Sequence, residues 1–196
     1  WHMIAPTSRL KFEPIALHHA PLFHRLNADP QVMRYFPAVL SAAETDAFIA
    51  RIVAHRAGHG FGLEAAFFSA TGTFAGFIGL LRAEFDARFT PAVEIGWRLA
   101  PEFWGQGLAP EGARAALASG FGELGLSEIV SFTALANAPS IRVMEKIGMR
   151  RDLQGDFDHP ALTDDDTLRA HVLYRITRQE FCSQEHLARG AHNDLN

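Results

Sequence analysis

The alternation of hydrophobic and polar positions predicts a central strand over residues 93–99, followed by a glycine loop and a helix. The strand has two different faces, with four apolar residues on one side and a mixed set on the other: Val93, Ile95, Trp97 and Leu99 against Glu94, Gly96 and Arg98. Pro101 ends the pairing because proline has no amide hydrogen. Pro110 suits the first position of the helix that follows.

The rest of the chain predicts short strands mixed with helices. Strands are expected over 9–15, 63–69, 74–82, 129–133, 150–157 and 170–176. Helices are expected over 18–27 and 139–147, from Pro110 onwards, and in a short segment that ends at Tyr35. A further helix should begin at a capping box at Ser41 and end at Gly58–Gly60. The crossover from strand 93–99 through a helix to strand 129–133 predicts a parallel pair.

Length and composition indicate one globular domain. The 196 residues are 48% hydrophobic and 20% charged, and we expect an N-terminal extension (1–8), a domain (9–182) and a polar, frayed C-terminal tail (183–196). The net charge of −4 gives no reason to expect a nucleic-acid surface, and no apolar run reaches the length of a membrane span. The single cysteine, Cys182, fits a reducing, cytoplasmic compartment.

The loop Trp104-Gly105-Gln106-Gly107-Leu108-Ala109 lies between a strand and a helix N-terminus, a geometry that suits phosphate oxygens. Glycine loops are also ordinary turns. A P-loop is excluded because no Gly-Lys-Ser/Thr follows, and a dinucleotide fingerprint is excluded because Pro110 occupies the third glycine position.

Three linked motifs resemble the GCN5-related N-acetyltransferase (GNAT) superfamily, and in particular its RimJ/RimL-like branch. They are E-I-G-W-R-L at 94–99, W-G-Q-G-L-A at 104–109 and N-A-P-S-I-R-V-M-E-K-I-G-M at 137–149. The general GNAT loop reads R/Q-x-x-G-x-G/A, so the tryptophan departs from it and matches the branch. The similarity runs from about Arg9 to Ile176.

This resemblance implies an α/β (α+β) fold with a mixed, mostly antiparallel twisted sheet flanked by helices. In the family the two parallel strands splay apart and the cofactor, acetyl-CoA, enters the gap. The residues implied in binding acetyl-CoA are the backbone of Leu99, the loop and a later asparagine: Leu99, Trp104, Gly105, Gln106, Gly107, Leu108, Ala109 and Asn137. The backbone of Leu99 would pair with the pantetheine amides and stabilise the oxyanion.

Asn137 and Ser140 also have a structural interpretation, since such residues cap helices. Many GNAT enzymes place a tyrosine at the position of Met144 to protonate the departing thiolate, which methionine cannot do. In the RimJ/RimL branch a serine at the position of Ser140 is the proposed acid. Ser140 shares a helix face with Met144 by spacing, so its hydroxyl should point toward the sheet.

Glu94 is the candidate general base. A carboxylate within a largely buried strand requires a reason, and two remain open. Glu94 forms a buried ion pair with an arginine such as Arg98 or Arg142, or its raised pKa lets it receive the proton of an attacking ammonium, directly or through water.

The ten histidines give no metal-ligand spacing with acids or cysteines, so no metal is predicted. His18, His19, His24, His55 and His59 are expected to be solvated or capping. His159 and His171 belong to a region that flanks the acceptor in the family, so substrate contact is one hypothesis for them. Cys182 has no nearby histidine in sequence, which disfavours a covalent acyl-cysteine route.

The resulting hypothesis is an N-acetyltransferase that transfers an acetyl group from acetyl-CoA directly to a primary amine in a ternary complex, with Glu94 and Ser140 as catalytic residues. The acceptor is left open between a protein N-terminus and a small amine such as a polyamine, an aminoglycoside or a free amino acid. The alternative is a non-catalytic CoA-binding sensor or scaffold. The oligomeric state is also open, a homodimer included.

Overall fold

The structure is a computed structural model that describes residues 2–193. Within this range the elements follow one another as β1 (Leu10–Pro14), α1 (Ala20–Ala28), α2 (Ala42–His59), β2 (Leu63–Phe68), β3 (Thr73–Ala83), β4 (Ala92–Leu99), α3 (Leu108–Gly122), β5 (Glu128–Ala134), α4 (Ala138–Lys146), β6 (Arg150–Arg151), β7 (Phe157–Asp158), β8 (Ala170–Thr177) and α5 (Arg178–Asn193). Short 3₁₀ turns cover Leu17–His19 and Pro101–Phe103. No helix in the described range is long and apolar enough to span a bilayer.

The strands form one mixed sheet in the order β1-β2-β3-β4-β5-β8, with β6 and β7 both paired to the outer edge of β8. Only β4 and β5 run parallel, and the other neighbours are antiparallel. The predicted crossover through α3 therefore exists, and the expected fold class is confirmed.

The parallel pair splits soon after it forms. β3 and β4 stay in register from Ala83–Ala92 to Gly76–Leu99, whereas β4 and β5 share a single ladder position at Glu94 and Val130.

One side-chain bond follows that ladder position, from the buried Ser131 hydroxyl to the carbonyl oxygen of Ile95 (3.0 Å). Beyond it the edge of β4 that faces β5 has no strand beside it, so its backbone groups line a gap.

The sheet is covered on both faces by separate apolar cores. On one face α3, α4 and α5 pack against residues such as Ile95 and Leu99. On the other face α1 and α2 pack against residues such as Phe77 and Leu63. Glu94, Gly96 and Arg98 belong to this second face because side chains alternate along a strand.

The predicted helix boundary at Ser41 is confirmed in atomic detail. The Ser41 hydroxyl accepts a hydrogen bond from the amide of Glu44 (3.2 Å), and the Glu44 carboxylate accepts one from the amide of Ser41 (2.7 Å). Gly60 closes the same helix in the left-handed conformation at φ 78°. These local bonds need no tertiary contact, which explains why the sequence alone predicts them.

Three expectations about the elements differ from the structure. The chain from Asp29 to Tyr35 forms turns instead of a short helix, and α3 begins at Leu108, two residues before Pro110. The strand expected over 150–157 is only two fragments, β6 and β7, because the chain leaves the edge of β8 between them.

The ends of the chain also differ from the expectation. Residues 183–193 continue α5 rather than forming a frayed tail, and residues 194–196 lie outside the described range. At the other end, Ile4 is buried and its amide donates to the carboxylate of Glu64 (3.2 Å). Residues of the predicted extension therefore pack against the domain.

Candidate active site

The glycine loop presents a row of backbone amides at the N-terminus of α3. Gly105 and Gly107 adopt positive φ values of 72° and 77°, and Gly107 is the N-cap of the helix. Among residues 2–193, no carbonyl or side chain accepts a hydrogen bond from the amides of 105–109. These donors lie at the positive end of the helix dipole, where an anion is stabilised.

Only the backbone of this loop faces outward over most of its length. The side chain of Leu108 is buried in the core, Ala109 packs against the core, and the Gln106 amide folds back to donate to the carbonyl of Glu102 (2.7 Å). The loop therefore offers main-chain donors rather than side chains.

Trp104 ties the loop to the end of β4. Its indole Nε1 donates to the carbonyl oxygen of Leu99 (2.8 Å), while 47% of the residue remains exposed. The amide of Ala100 bonds to Ala75 on β3 (2.8 Å), so the backbone groups of Leu99 point the other way, into the gap between β4 and β5. The Leu99 carbonyl already accepts the indole bond, which leaves the Leu99 amide as the donor toward the gap.

Arg9 is a residue at this loop that sequence reasoning missed. Its Nη1 donates to the carbonyl oxygen of Gln106 (2.9 Å), and its Nε donates to the Glu111 carboxylate (2.7 Å) in the first turn of α3. Burial acts against ionisation of Glu111, but hydrogen bonds from Thr7 and Arg9 hold its pKa below the usual value. About a hundred residues separate the partners, so no local pattern in the sequence connects them.

Asn137 caps α4 and also orients Ser140. Its Oδ1 accepts a bond from the Ser140 amide (3.3 Å), and its Nδ2 donates to the hydroxyls of Ser140 (3.1 Å) and Thr133 (2.9 Å). Because the Ser140 oxygen accepts this bond, its own proton remains available to another acceptor. The predicted capping role is confirmed, and Met144 lies on the buried face of the same helix as expected.

Glu94 occupies the last ladder position before the strands separate, next to Val130 of β5 and Leu81 of β3. Glu94 is half-buried, and its carboxyl oxygens are not among the fully enclosed polar atoms of the described residues. Burial raises the pKa of this carboxyl to about 8, and no hydrogen bond or opposite charge counteracts it. The pKa of Glu94 is therefore raised, as the role of a general base requires.

The ion-pair explanation for Glu94 does not apply within the described residues. Arg142 is exposed on α4, which covers the opposite face of the sheet, and Arg98 makes a different set of contacts. The Nη1 of Arg98 donates to Oδ1 of the fully buried Asn27 on α1 (2.6 Å).

The guanidinium of Arg98 is stacked between aromatic rings. Its central carbon lies 4.4 Å from the ring centroid of Phe36 and 5.1 Å from that of Phe77. Burial lowers the pKa of Arg98 to about 10, so the side chain still carries its charge at neutral pH.

A cluster of half-buried rings lies on the Glu94 face of the sheet, outside both apolar cores. Its members come from the β3–β4 connection, β5, β7 and its following loop, and β8: Phe85, Phe89, Phe132, Phe157, His159 and His171. Neighbouring centroids lie 5.0–6.5 Å apart. We refer to these six residues as the aromatic cluster, and partly exposed apolar surface of this kind is typical of binding sites.

The two histidines of the aromatic cluster are neutral at pH 7. Burial lowers the pKa of both, and for His171 the bond to the Arg169 carbonyl (3.0 Å) offsets this only in part. The sequence singled out both as candidates for substrate contact, and the structure brings them together at a centroid distance of 5.0 Å.

One group of side chains has the proximity of a metal site, namely Glu13, His18 and His19. Nδ1 of His19 accepts a hydrogen bond from the amide of Ala16 (3.1 Å), so the neutral ring carries its proton on Nε2. That nitrogen lies 3.5 Å from the Glu13 carboxylate and has no lone pair for a metal. We assign no metal to this group, and His19 acts in a local cap.

Comparison with known proteins places the chain in a family. The sequence profile described as "Acetyltransferase (GNAT) domain" matches residues 9–150, most of the chain. The chain belongs to the GNAT acetyltransferases. This agrees with the resemblance drawn from the three motifs, and the split β4–β5 pair is the family's splayed strand pair.

Individual relatives support this membership. The uncharacterized protein YkkB of Bacillus subtilis is 35% identical over 66% of this chain and 74% of its own length. The FsC-acetyl coenzyme A-N(2)-transacetylase of Aspergillus fumigatus is 31% identical over 89% of this chain and 76% of its own length. A crystal structure of a GNAT-family acetyltransferase from Bacillus anthracis superimposes with a TM-score of 0.74 at 27% identity, covering 91% of this chain and all of that one.

Proposed function

We propose that this protein transfers an acetyl group from acetyl-CoA to a primary amine by direct attack in a ternary complex. The observation that carries the proposal is the unbonded amide row of residues 105–109, which adjoins the split between β4 and β5. A diphosphate on these amides would lead the pantetheine arm into the gap, past the free amide of Leu99. A relative named for acetyl coenzyme A supports this cofactor.

Glu94 is proposed as the base. An acceptor amine arrives as an ammonium ion and must lose a proton before its nitrogen can attack the thioester carbon. A carboxyl with a pKa near 8 is a stronger base than an ordinary glutamate and is ionised in part at neutral pH. The nitrogen–carbon bond then forms, and the carbon–sulfur bond breaks.

The Leu99 amide and Ser140 are proposed to stabilise the charges that follow. The amide faces the gap and can donate to the oxyanion of the tetrahedral intermediate, a contribution of about 3 kcal/mol in comparable sites. Ser140 is oriented by Asn137 so that its proton remains free, and it or solvent protonates the CoA thiolate. Free thiols have a pKa near 8.5, so the acid should contribute modestly.

The acceptor is a protein N-terminus or a small amine, as in the RimJ/RimL-like branch and its many relatives. The aromatic cluster flanks the Glu94 face and would contact the apolar part of the acceptor. The transacetylase relative is named for an N(2) nitrogen, which agrees with an amine acceptor.

A matched pair of glycine variants tests the placement of acetyl-CoA. Gly107 and Gly72 have similar positive φ values (77° and 70°), and at neither position would an added methyl group meet protein backbone within 4 Å, but Gly72 lies in the β2–β3 turn. Alanine should strain both sites by about 1–2 kcal/mol. We expect Gly107→Ala to weaken acetyl-CoA binding by about tenfold or more in calorimetry, and Gly72→Ala to leave the affinity unchanged.

Equal affinity in both variants would contradict the loop assignment. Turnover is then tested by measuring the release of the CoA thiol from acetyl-CoA in the presence of a panel of amines. Firm acetyl-CoA binding without turnover on any amine would favour the alternative, a non-catalytic CoA-binding sensor or scaffold. The observation that favours this second candidate is that burial leaves Glu94 mostly protonated at neutral pH.

A further inference from the structure

Arg98 is a half-buried cation without an anionic partner in the part of the chain that the structure describes. Of its donor nitrogens, Nη1 bonds to Asn27 (2.6 Å), Nε is enclosed without any acceptor, and Nη2 has neither a partner nor the same enclosure. No carboxylate of residues 2–193 lies within 4.0 Å of this guanidinium, in contrast to the buried Arg56, which pairs with Glu64 at 2.8 Å.

An unpaired buried charge destabilises a fold, so its presence needs a reason. The rings of Phe36 and Phe77 stabilise the faces of the guanidinium. They do not satisfy its edge, where the N–H groups point. Nη2 is the donor that remains open to an incoming group, and a carboxylate is the acceptor that would form a charge-assisted hydrogen bond with it.

Arg98 shares its strand face with the candidate base. Glu94 and Arg98 are separated by Gly96, and a methyl group built on Gly96 would meet no atom within 4 Å. The strand spacing puts the two Cα atoms about 13 Å apart. Their side chains thus flank an open surface of β4 that has room for a small molecule.

The charges on this face favour an anion next to Arg98. Burial keeps Glu94 mainly protonated at neutral pH, and the imidazoles of His159 and His171 are neutral. The guanidinium is therefore the charge that a bound acceptor meets on this part of the sheet.

We propose that the acceptor is an amino acid, carrying a carboxylate that binds Arg98 together with the amine that Glu94 deprotonates. This rests on the proposed function and selects among its acceptors. The amine nitrogen bonds to the acetyl carbon as the thioester carbon–sulfur bond breaks, and the products are an N-acetylamino acid and CoA. One ammonium proton passes to Glu94 before attack, and the nitrogen releases a second proton to solvent as the tetrahedral intermediate collapses to the amide. The thiolate takes a proton from solvent, or from Ser140, which solvent then reprotonates.

Matched acceptors test the proposal with the wild-type protein. Each set contains an amino acid, its carboxamide and its decarboxylated amine, for example phenylalanine, phenylalaninamide and phenethylamine, and the leucine equivalents. Apolar side chains are chosen because the aromatic cluster flanks the face. We expect kcat/KM for the amino acid to exceed that of both analogues by about tenfold or more, as a charge-assisted hydrogen bond implies.

Variants then separate carboxylate binding from loop anchoring. Arg98→Gln should raise the KM for the amino acid by about tenfold or more and leave the amine and amide nearly unchanged. Asn27→Ala removes the hydrogen bond but keeps the cation, so it should affect all three acceptors alike. If Arg98→Gln lowers activity equally for the three, Arg98 only anchors α1 and the proposal is wrong.

A binding measurement gives a readout that needs no turnover. In the presence of CoA, N-acetylphenylalanine should raise the melting temperature of the wild type, whereas its amide should not, and Arg98→Gln should abolish the difference. Absence of any carboxylate-specific stabilisation overturns the proposal. Acetylation of the decarboxylated amines as fast as the amino acids also overturns it, yet leaves the acetyltransferase function intact.

Discussion

The two halves of the candidate site are built in opposite ways. The cofactor half consists of main-chain amides from one continuous segment, 105–109, next to a capped helix that starts at Ala138. The acceptor half consists of side chains that come from α1, the α1–α2 connection, β4, β5 and β8. Main-chain donors can bind the same diphosphate whatever the acceptor is, whereas side chains from separate elements can vary one at a time.

The halves differ in electrostatics as well. Around the loop the charged groups are paired, as Arg9 is with Glu111 (2.6 Å). On the acceptor face Glu94 and Arg98 are both largely withdrawn from solvent, and neither has an opposite charge beside it among residues 2–193. Enclosed, unpaired groups destabilise the fold and are typical of functional sites.

The largest expected effect is on turnover in Glu94→Gln. Glutamine keeps the shape of the side chain but cannot accept the ammonium proton, so kcat should fall by about 10²–10⁴-fold. Thiol release measures this, and calorimetry should show unchanged acetyl-CoA affinity because the loop is untouched. An active Glu94→Gln protein would remove the base from the mechanism.

The same substitution should make the protein more stable at alkaline pH. The folded-state pKa of Glu94 is raised from 4.5 to about 8, so the folded state binds more protons than the unfolded state between these values. Stability is thus lost as pH rises through this window, and each unit corresponds to about 1.4 kcal/mol. Solvent reduces this effect because Glu94 is only half-buried, so Glu94→Gln should exceed the wild type by roughly 2–4 kcal/mol at pH 9 and match it near pH 4 in denaturant unfolding.

The rate of the wild type should depend on the ionisation of Glu94. With saturating substrates, kcat should increase about tenfold per pH unit below about 8 and level off above it. The acceptor amine titrates too, so the residual rate of Glu94→Gln over the same range is the reference. A wild-type profile that levels off near pH 5 would show that the carboxyl is solvated during catalysis.

Ser140→Ala should have an intermediate effect. Loss of the hydroxyl should lower kcat by about three- to tenfold, because solvent can replace a weak acid for a thiolate leaving group. Ser140→Cys, which retains a donor, serves as the comparison. The same loss in both variants would indicate that the hydroxyl matters for packing on Asn137 and not for proton donation.

Trp104→Phe should give the smallest change. The ring remains, but the 2.8 Å bond from the indole to Leu99 is lost, and one hydrogen bond corresponds to about 1 kcal/mol. We expect the Kd for acetyl-CoA to rise by about threefold to tenfold, with KM for the acceptor unchanged. A change in the KM for the acceptor alone would show that the indole supports the acceptor half of the site instead of the cofactor half.

A feature is predictable from the sequence when the residues that determine it lie close together along the chain. The Ser41 cap, the glycine loop between a strand and a helix, and the parallel crossover rest on neighbouring residues or on general connection rules, and all three are present in the structure. The errors, at the start of α3, the broken strand after Arg150 and the helical residues 183–193, concern boundaries that packing decides.

The sequence by itself determined most of the elements, the family and the place of the glycine loop between β4 and α3, because these depend on local spacing and backbone conformation. Only the tertiary structure decided that Glu94 has no ion pair within residues 2–193, that Arg98 reaches Asn27, and that Arg9 supports the loop. The physical reason is that desolvation and charge pairing depend on groups brought together from distant segments, and no pattern along the chain records which of them meet.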